Sequence, residues 1–220
     1  MPNEIWRQTS AAPPARRPTR AVAINPNNPR PTAVSKAADT GHSMTPSPFV
    51  IQWTDAVARV VPAPARALDV AMGRGRHALA LARAGFRTFG VDATLDAVRD
   101  GVVRAAAEGL SVRGWCTDLT RSPLPRERFE LVLVTRFLQR DLFGSIRQAV
   151  VPTGVIMYET FTVNQRAHDT GPTSPDHLLQ PGELRDRFDG FEVMFYEEVL
   201  APDAVARIVA RRPRWDGATG

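Results

Sequence analysis

A glycine-rich turn between a short apolar strand and a helix contains the clearest chemical pattern in the chain. It runs from Asp69 to His77 and includes Gly73 and Gly75. Glycine allows left-handed backbone and lets main-chain amides come close to a ligand. The turn also fits the G-x-G-x-x-G/A pattern of dinucleotide-binding loops. Alone, it predicts a nucleotide-like cofactor without deciding which one.

Three acidic residues, Asp69, Asp92 and Asp118, lie at or just beyond the ends of three successive predicted strands, where parallel strands share one edge of a sheet. Asp92 could accept hydrogen bonds from both ribose hydroxyls of NAD or S-adenosylmethionine. Asp69 would repel a pyrophosphate but suits a sulfonium and an ammonium group. Asp118 could bind an adenine amino group. The alternatives are a helix-capping role for Asp92 and a turn toward Pro123 for Asp118.

Residues that could bind or activate a second reactant follow the fourth and fifth predicted strands. We predict catalytic roles for Arg136, Tyr158 and His168. His168 lies in a long loop and could act as a general base near neutral pH, or it could be a solvated side chain. Arg136 and Arg140 are four residues apart and could face an anionic acceptor from one side of a helix, although charges on helix surfaces are usually solvated.

These residues are placed by an alternation of strands and helices. Strands are predicted at 67–71, 86–91, 112–117, 129–135 and 155–161, and helices at 76–84 and 94–107, with a helical stripe at Leu138, Leu142 and Ile146. An irregular stretch over 162–180 precedes a short helix over 181–188. Strands at 191–200 and 204–210 suit an antiparallel hairpin. The pattern predicts an α/β fold, Rossmann-like and doubly wound, with a mostly parallel sheet.

The turn resembles motif I of the class I S-adenosylmethionine-dependent methyltransferases, in the D-x-A-x-G-x-G-R form of the tellurite-resistance methyltransferase group. Ala71 stands where the general motif has its first glycine. The resemblance covers roughly 48–211 and implies S-adenosyl-L-methionine as the cofactor. The cofactor contacts we predict, besides the three acids and two glycines, are at strand ends: Ala71, Ala93, Leu119 and Thr135.

Missing motifs narrow the acceptor. No Asn/Asp-Pro-Pro-Tyr/Phe follows strand four, Cys116 is not in a Pro-Cys loop, and residues 44–220 contain no lysine. These absences argue against methylation of adenine amino groups, cytosine C5 and ribose. We therefore expect a small-molecule acceptor: a thiol, a chalcogen oxyanion or a carboxylate-bearing metabolite. The alternatives are an NAD(P)-dependent oxidoreductase and a non-catalytic protein that binds S-adenosylmethionine.

The distribution of charge along the chain limits the kinds of partner that the protein can bind. The formal net charge is +5, but residues 1–43 contain six of the basic residues and only two acidic ones, so the rest is nearly neutral. We therefore expect no nucleic-acid partner and no membrane span. The single cysteine, Cys116, is typical of a cytoplasmic protein, and we expect it to be buried as a small apolar residue. Residues 1–43 are predicted to be a disordered leader, or to precede a true start at Met44, and residues 44–220 to form the methyltransferase domain. The oligomeric state is left open.

Overall fold

Seven strands pair into one sheet in the computed structural model, which describes residues 44–214. The strands are β1 (Arg66–Val70), β2 (Arg87–Asp92), β3 (Val112–Cys116), β4 (Phe129–Thr135), β5 (Val150–Phe161), β6 (Glu192–Val199) and β7 (Val205–Arg211). The α-helices are α1 (Pro48–Val60), α2 (Arg76–Arg83), α3 (Leu95–Ala107), α4 (Phe143–Ala149) and α5 (Glu183–Asp186). Short 3₁₀ turns lie at Arg140–Leu142, Val163–Ala167 and Pro175–His177.

The strand order is β3-β2-β1-β4-β5-β7-β6. Strands β1 to β5 are parallel to one another, whereas β7 runs antiparallel to both β5 and β6. The predicted Rossmann-like sheet with a terminal antiparallel hairpin is therefore confirmed. Because β1 to β5 point the same way, their carboxyl ends meet at one edge, where ligands of open α/β sheets bind.

Both faces of the sheet are covered by apolar side chains. Strand β4 is buried along its whole length, as its continuous apolar run predicts. Alternate residues of the central strands enter two clusters: one contains Leu68, Val132, Val134, Ile156 and Ile208, and the other contains Ala67, Leu131, Leu133, Met157 and Val209. Helix α4 adds to the first cluster and helix α1 to the second. The central strands are thus fixed from both sides, which holds their carboxyl ends in place.

Several elements differ from the sequence-based boundaries. Helix α1 was not predicted, and α5 is only Glu183–Asp186 instead of 181–188. Strand β5 begins at Val150 instead of 155, because Val150 pairs with Phe129 of β4 before an irregularity in the register. Of the predicted helical stripe, Ile146 lies on α4 and Leu142 on the 3₁₀ turn before it, whereas Leu138 lies outside both. The predictions for residues 1–43 lie outside the described residues, and no helix among the described residues is long and apolar enough to cross a membrane.

Candidate cofactor and acceptor site

The glycine-rich turn lies at the carboxyl end of β1 and has a strongly curved backbone. Ala71, Gly73 and Gly75 have φ angles of 54°, 54° and 81°. The amide of Met72 donates to Val91 O at 3.0 Å, and the amide of Gly75 donates back to Met72 O at 3.0 Å. A left-handed conformation costs a residue with a Cβ about 1 kcal/mol or more, so Ala71 stores strain at this point.

The side chain of Met72 anchors this turn to the rest of the sheet. It is 1% exposed. A Cβ at Gly90 on β2 would lie 2.1 Å from its Sδ, and a Cβ at Gly101 on α3 would lie 2.7 Å from its Cε. A Cβ at Gly75 would also lie 3.0 Å from Gly101 Cα. The glycines therefore make a socket for Met72 and let α3 pack close to the turn, a role that the sequence analysis missed.

Asp92, at the end of β2, joins the turn to α3. Its Oδ2 accepts a hydrogen bond from the Gly73 amide at 2.8 Å, and its Oδ1 accepts one from the Thr94 amide at 2.9 Å. The contact with Thr94 partly matches the alternative role at the start of the next helix. A carboxylate has about four acceptor positions, so both oxygens can accept a further hydrogen bond. The predicted contact with two ribose hydroxyls is compatible with this arrangement.

The other two acids differ in their surroundings. Asp69 is fully buried on β1, between Gly90 on β2 and Leu133 on β4. Asp118 is half-buried, and its Oδ1 accepts hydrogen bonds from the amide (2.9 Å) and hydroxyl (2.6 Å) of Thr120. The hydrogen bonds from Thr120 lower the pKa of Asp118. Asp118 thus forms the turn considered as its alternative, and its contact with adenine stays a prediction.

Two predicted cofactor residues differ in their exposure to solvent. Ala93 is exposed just after β2, whereas Leu119 belongs to the apolar core. Cys116, at the end of β3, is exposed, so the expectation of a buried thiol was wrong. Its Sγ lies 3.3 Å from Ala93 O, and burial and the neighbouring Asp92 raise the pKa of the thiol. Strand β3 is at the sheet edge, which explains why its end reaches solvent.

Thr135, at the end of β4, contacts a histidine that the sequence analysis did not select. Its Oγ1 lies 2.8 Å from His77 Nδ1, and both residues are fully buried. The other ring nitrogen of His77, Nε2, accepts a hydrogen bond from the Ser47 amide at 3.1 Å. His77 directly follows the glycine turn on α2, and this position was the only signal in the sequence that could have revealed it.

Arg136 directly follows β4 and has a left-handed backbone with φ 49°. Its amide donates to Glu159 O on the neighbouring strand at 2.8 Å, and its guanidinium pairs with Asp203 at 2.7 Å. The guanidinium also lies over the ring of Phe161, 5.4 Å from the ring centre. The side chain is one-third exposed. Arg136 is therefore held in place directly after β4, with its charge balanced by Asp203.

The other two predicted catalytic residues are placed differently. Tyr158 is fully buried on β5, where its hydroxyl donates to Phe137 O at 2.9 Å and its ring stacks on Phe143. Burial raises the pKa of Tyr158 well above its usual value. The proposed catalytic role does not fit this position, because the hydroxyl is held within the core. His168 is half-buried after a 3₁₀ turn, and its role stays a prediction.

Arg140 does not share a face with Arg136, because the segment between them is not an α-helix. Its guanidinium makes two hydrogen bonds to Glu183, each 2.8 Å, and a third to Leu178 O at 2.9 Å. Burial would raise the pKa of Glu183, but hydrogen bonds from Arg140, the Gln180 amide and another arginine lower it to about 2. Arg140 thus fixes the end of the long loop instead of binding an acceptor.

The irregular segment over 162–180 is folded back on the end of β5. Thr162 and Leu179 form a parallel bridge, and the Leu179 amide donates to Phe161 O at 2.9 Å. The buried side chain of Gln165 links the segment to the turn after β6, because its Oε1 accepts a hydrogen bond from the Ala204 amide at 2.7 Å. These contacts hold the segment against the end of β5 and the turn before β7.

A model of a methyltransferase domain family matches residues 67–154, which contain the glycine turn, all three acids and β4. Residues 67–154 are a class I methyltransferase domain. A methyltransferase domain of this kind uses S-adenosylmethionine as its cofactor, and the oxidoreductase alternative is not supported. A search of curated proteins gives no match.

Solved structures with the same fold include other methyltransferases. The chain is 18% identical to TehB from Haemophilus influenzae over 72% of this chain and 61% of that one, with a TM-score of 0.59. It is 19% identical to an S-adenosylmethionine-dependent methyltransferase from Mesorhizobium loti over 74% and 98%, with a TM-score of 0.57. The [4+2]-cyclase SpnF is 19% identical over 74% and 81%, with a TM-score of 0.61. These likenesses show the fold of this methyltransferase.

The residues present fit the cofactor. In the left-handed turn Gly73 is half-buried and Arg74 is exposed, and Asp92 offers paired carboxylate oxygens at the end of β2. Asp69, Gly73, Asp92 and Asp118 would hold S-adenosylmethionine. When bound, this cofactor supplies a methyl group already activated as a sulfonium, so the protein residues have only to bind and orient the reactants.

Proposed function

We propose that this methyltransferase acts on a small acceptor with an anionic or nucleophilic group: a thiol, a chalcogen oxyanion or a carboxylate-bearing metabolite. The observation that supports this most is the environment of Arg136. Its hydrogen bond to Asp203 uses one of five N–H donors, and Phe161 holds the guanidinium plane. The remaining donors can bind an oxyanion at the carboxyl end of β4.

The segment over 162–180, which is folded over the end of β5, favours a small acceptor over a macromolecule. The folded segment over 162–180 and the turn at Ala204 cover the end of β5. The near-neutral charge of residues 44–220 also disfavours a nucleic acid. The resemblance to the tellurite-resistance group makes chalcogen oxyanions the first acceptors to assay. A cytoplasmic location stays a prediction from the sequence.

In the proposed reaction, Arg136 orients the acceptor so that its lone pair faces the methyl carbon. The new bond forms as the carbon–sulfur bond breaks, and S-adenosylhomocysteine leaves. An acceptor that is already an anion needs no base. For a thiol, we propose that His168 takes the proton, since histidine side chains commonly act as general bases.

The test is the formation of S-adenosylhomocysteine with tellurite, selenite, thiols and small carboxylates, in wild type and in Arg136→Gln. We expect at least one acceptor to turn over, and Arg136→Gln to raise its KM about tenfold to a hundredfold, as for a lost hydrogen bond to a charged group. Affinity for S-adenosylhomocysteine should not change. Arg99→Gln, on the exposed face of α3, is the control.

Two results would contradict the proposal. One is the absence of S-adenosylhomocysteine with every small acceptor although the cofactor binds. The other is an unchanged KM in Arg136→Gln, which would remove this arginine from the acceptor site. For a thiol acceptor, His168→Gln should lower kcat, and the loss should shrink as the pH rises above the pKa of the thiol, where the thiolate forms without a base.

A further inference from the structure

His77 connects three elements at the cofactor edge of the sheet. It lies in the first turn of α2, directly after the glycine turn. One ring nitrogen contacts Thr135 at the end of β4, and the other contacts Ser47, which precedes α1. The ring is fully buried although histidine is usually at least partly exposed. These three elements are far apart in the sequence, and the hydrogen bonds of His77 connect α2 to the other two.

The hydrogen bond from Ser47 indicates the tautomer of the neutral His77 ring. Nε2 accepts the amide proton of Ser47, so Nε2 cannot carry a proton of its own. The proton of the neutral ring is therefore on Nδ1, which donates it to Thr135 Oγ1. The hydroxyl of Thr135 then acts as the acceptor, and its own proton points away from His77.

We propose that His77 is a positioning residue that couples the start of α1 to the cofactor site. Through Nδ1 it orients the Thr135 hydroxyl at the carboxyl end of β4, where the hydroxyl can donate to the cofactor. Through Nε2 it holds the chain at Ser47 against the same edge. The predicted cofactor contact of Thr135 thus depends on a residue that itself need not touch the cofactor.

The position of α1 supports this coupling. Ser47 O accepts the hydrogen bond from the Ile51 amide at 3.0 Å, which begins the helix, so fixing Ser47 fixes its first turn. Phe49 and Val50 then pack into the apolar cluster under the central strands. Movement of residues 44–47 away from the edge would remove the partner of Nε2. In the wild type, a displacement of the His77 ring would therefore disturb both the start of α1 and the orientation of Thr135.

Two substitutions separate the two contacts. The amide of asparagine can take the place of Nδ1, whereas the amide of glutamine reaches the place of Nε2. His77→Asn should keep the contact with Thr135 and lose the contact with Ser47. His77→Gln should do the opposite. His177→Asn, in the half-buried turn before α5, is the matched control.

The readouts are the Kd of S-adenosylhomocysteine by calorimetry and hydrogen exchange over residues 44–51, both in the full chain. We expect His77→Gln and Thr135→Val to weaken binding about tenfold, the loss expected for one buried hydrogen bond, and Thr135→Ser to restore it. We expect His77→Asn to keep the wild-type Kd within about threefold and to speed exchange over 44–51 about tenfold or more.

The proposal fails if Thr135→Val binds S-adenosylhomocysteine like the wild type. It also fails if both His77 variants leave exchange over 44–51 unchanged, or if the two variants change both readouts equally. If a His77 variant does not fold, the pair Thr135→Val and Thr135→Ser still decides whether the hydroxyl is needed. A purely structural role would lower the melting temperature and leave the Kd of the folded protein unchanged.

Discussion

The carboxyl edge of the sheet has two halves that are held in place by different forces. The cofactor half is at the ends of β1 and β2, and the proposed acceptor half is at the ends of β4 and β5. The cofactor half depends on close packing around Met72 and on backbone hydrogen bonds to Asp92. The acceptor half depends on ion pairs: Arg136 with Asp203, and Arg140 with Glu183. Such pairs join residues 67 and 43 positions apart. The first half is therefore a local sequence motif, whereas the second exists only once the fold is complete.

A further ion-pair network shows the same contrast. Arg207 on β7 donates to Glu159 on β5 at 2.6 Å and to Glu197 on β6 at 2.8 Å. The three residues lie directly opposite one another in the sheet register. Cross-strand pairs of opposite charge stabilise antiparallel strands. The hairpin is thus joined to the parallel sheet by ion pairs in addition to backbone pairing and the apolar residues Ile208 and Val209.

The largest effect is expected from removing the Asp92 carboxylate, which links the glycine turn to the start of α3. Asp92→Ala removes the acceptor of the Gly73 and Thr94 amides and the proposed ribose contact. We expect the Kd of S-adenosylhomocysteine to rise about a hundredfold or more, measured by calorimetry. Asp96→Ala, an exposed acid on α3, should bind like the wild type. Equal losses in both variants would mean that Asp92 acts only through net charge.

The packing of Met72 gives the next largest effect. In Gly90→Ala, the new Cβ would lie 2.1 Å from Met72 Sδ. We expect the free energy of unfolding to fall by about 2 kcal/mol, the usual cost of overpacking, and cofactor binding to weaken as the turn shifts. Gly144→Ala, where nothing lies within 4 Å of the new Cβ, is the control and should be neutral or slightly stabilising.

A second substitution sharpens that result. Met72→Ala should leave a cavity by itself, but together with Gly90→Ala it should recover part of the lost stability, because the two side chains compete for one space. Urea unfolding of the four proteins gives the coupling free energy. Strictly additive losses would show that Met72 and Gly90 do not share this socket.

The smallest effect is the pH dependence of the acceptor half. The pKa of Glu183 is lowered from 4.5 to about 2, so its contribution to stability is present above pH 4.5 and is lost as the pH falls toward 2. We expect Glu183→Gln to be less stable than the wild type by about 1–2 kcal/mol at pH 7, with the difference shrinking below pH 4.5. Urea unfolding at pH 7, 4 and 3 measures it.

The control for this prediction is Glu192→Gln. Glu192 is two-thirds exposed and lies 3.8 Å from Arg211, so its loss should change the free energy of unfolding by less than about 0.5 kcal/mol. A Glu183→Gln penalty that is constant from pH 7 to pH 3 would show that the carboxylate charge does not matter at this position.

The sequence predicted the cofactor half well because its signals are local. Strand β1, the glycine turn and α2 were placed within about a residue of their observed bounds. Asp92 was found at a strand end because a strand and a helix flank it. Met72 and His77 were missed, since a buried methionine and a buried histidine are recognised only by what packs around them.

The acceptor half was predicted less accurately because its partners are distant in the chain. Arg136 was selected correctly as a residue at the end of β4, but nothing in the sequence pairs it with Asp203. Arg140 was expected to face the acceptor, yet it binds Glu183. Tyr158 was selected from its place on a strand, and a fully buried hydroxyl bonded to Phe137 O cannot be told from an exposed one by sequence.

The hairpin of β6 and β7 has a consequence for how the protein is made. Residues 66–135 contain the glycine turn, Asp92 and the first four strands, and they leave the ribosome well before Asp203 and Arg207. Chains emerge from their amino ends and begin to fold as they do so. The acceptor side is therefore the last part of the site to form, and a chain cut short before residue 203 would contain the cofactor turn without the acid that holds Arg136.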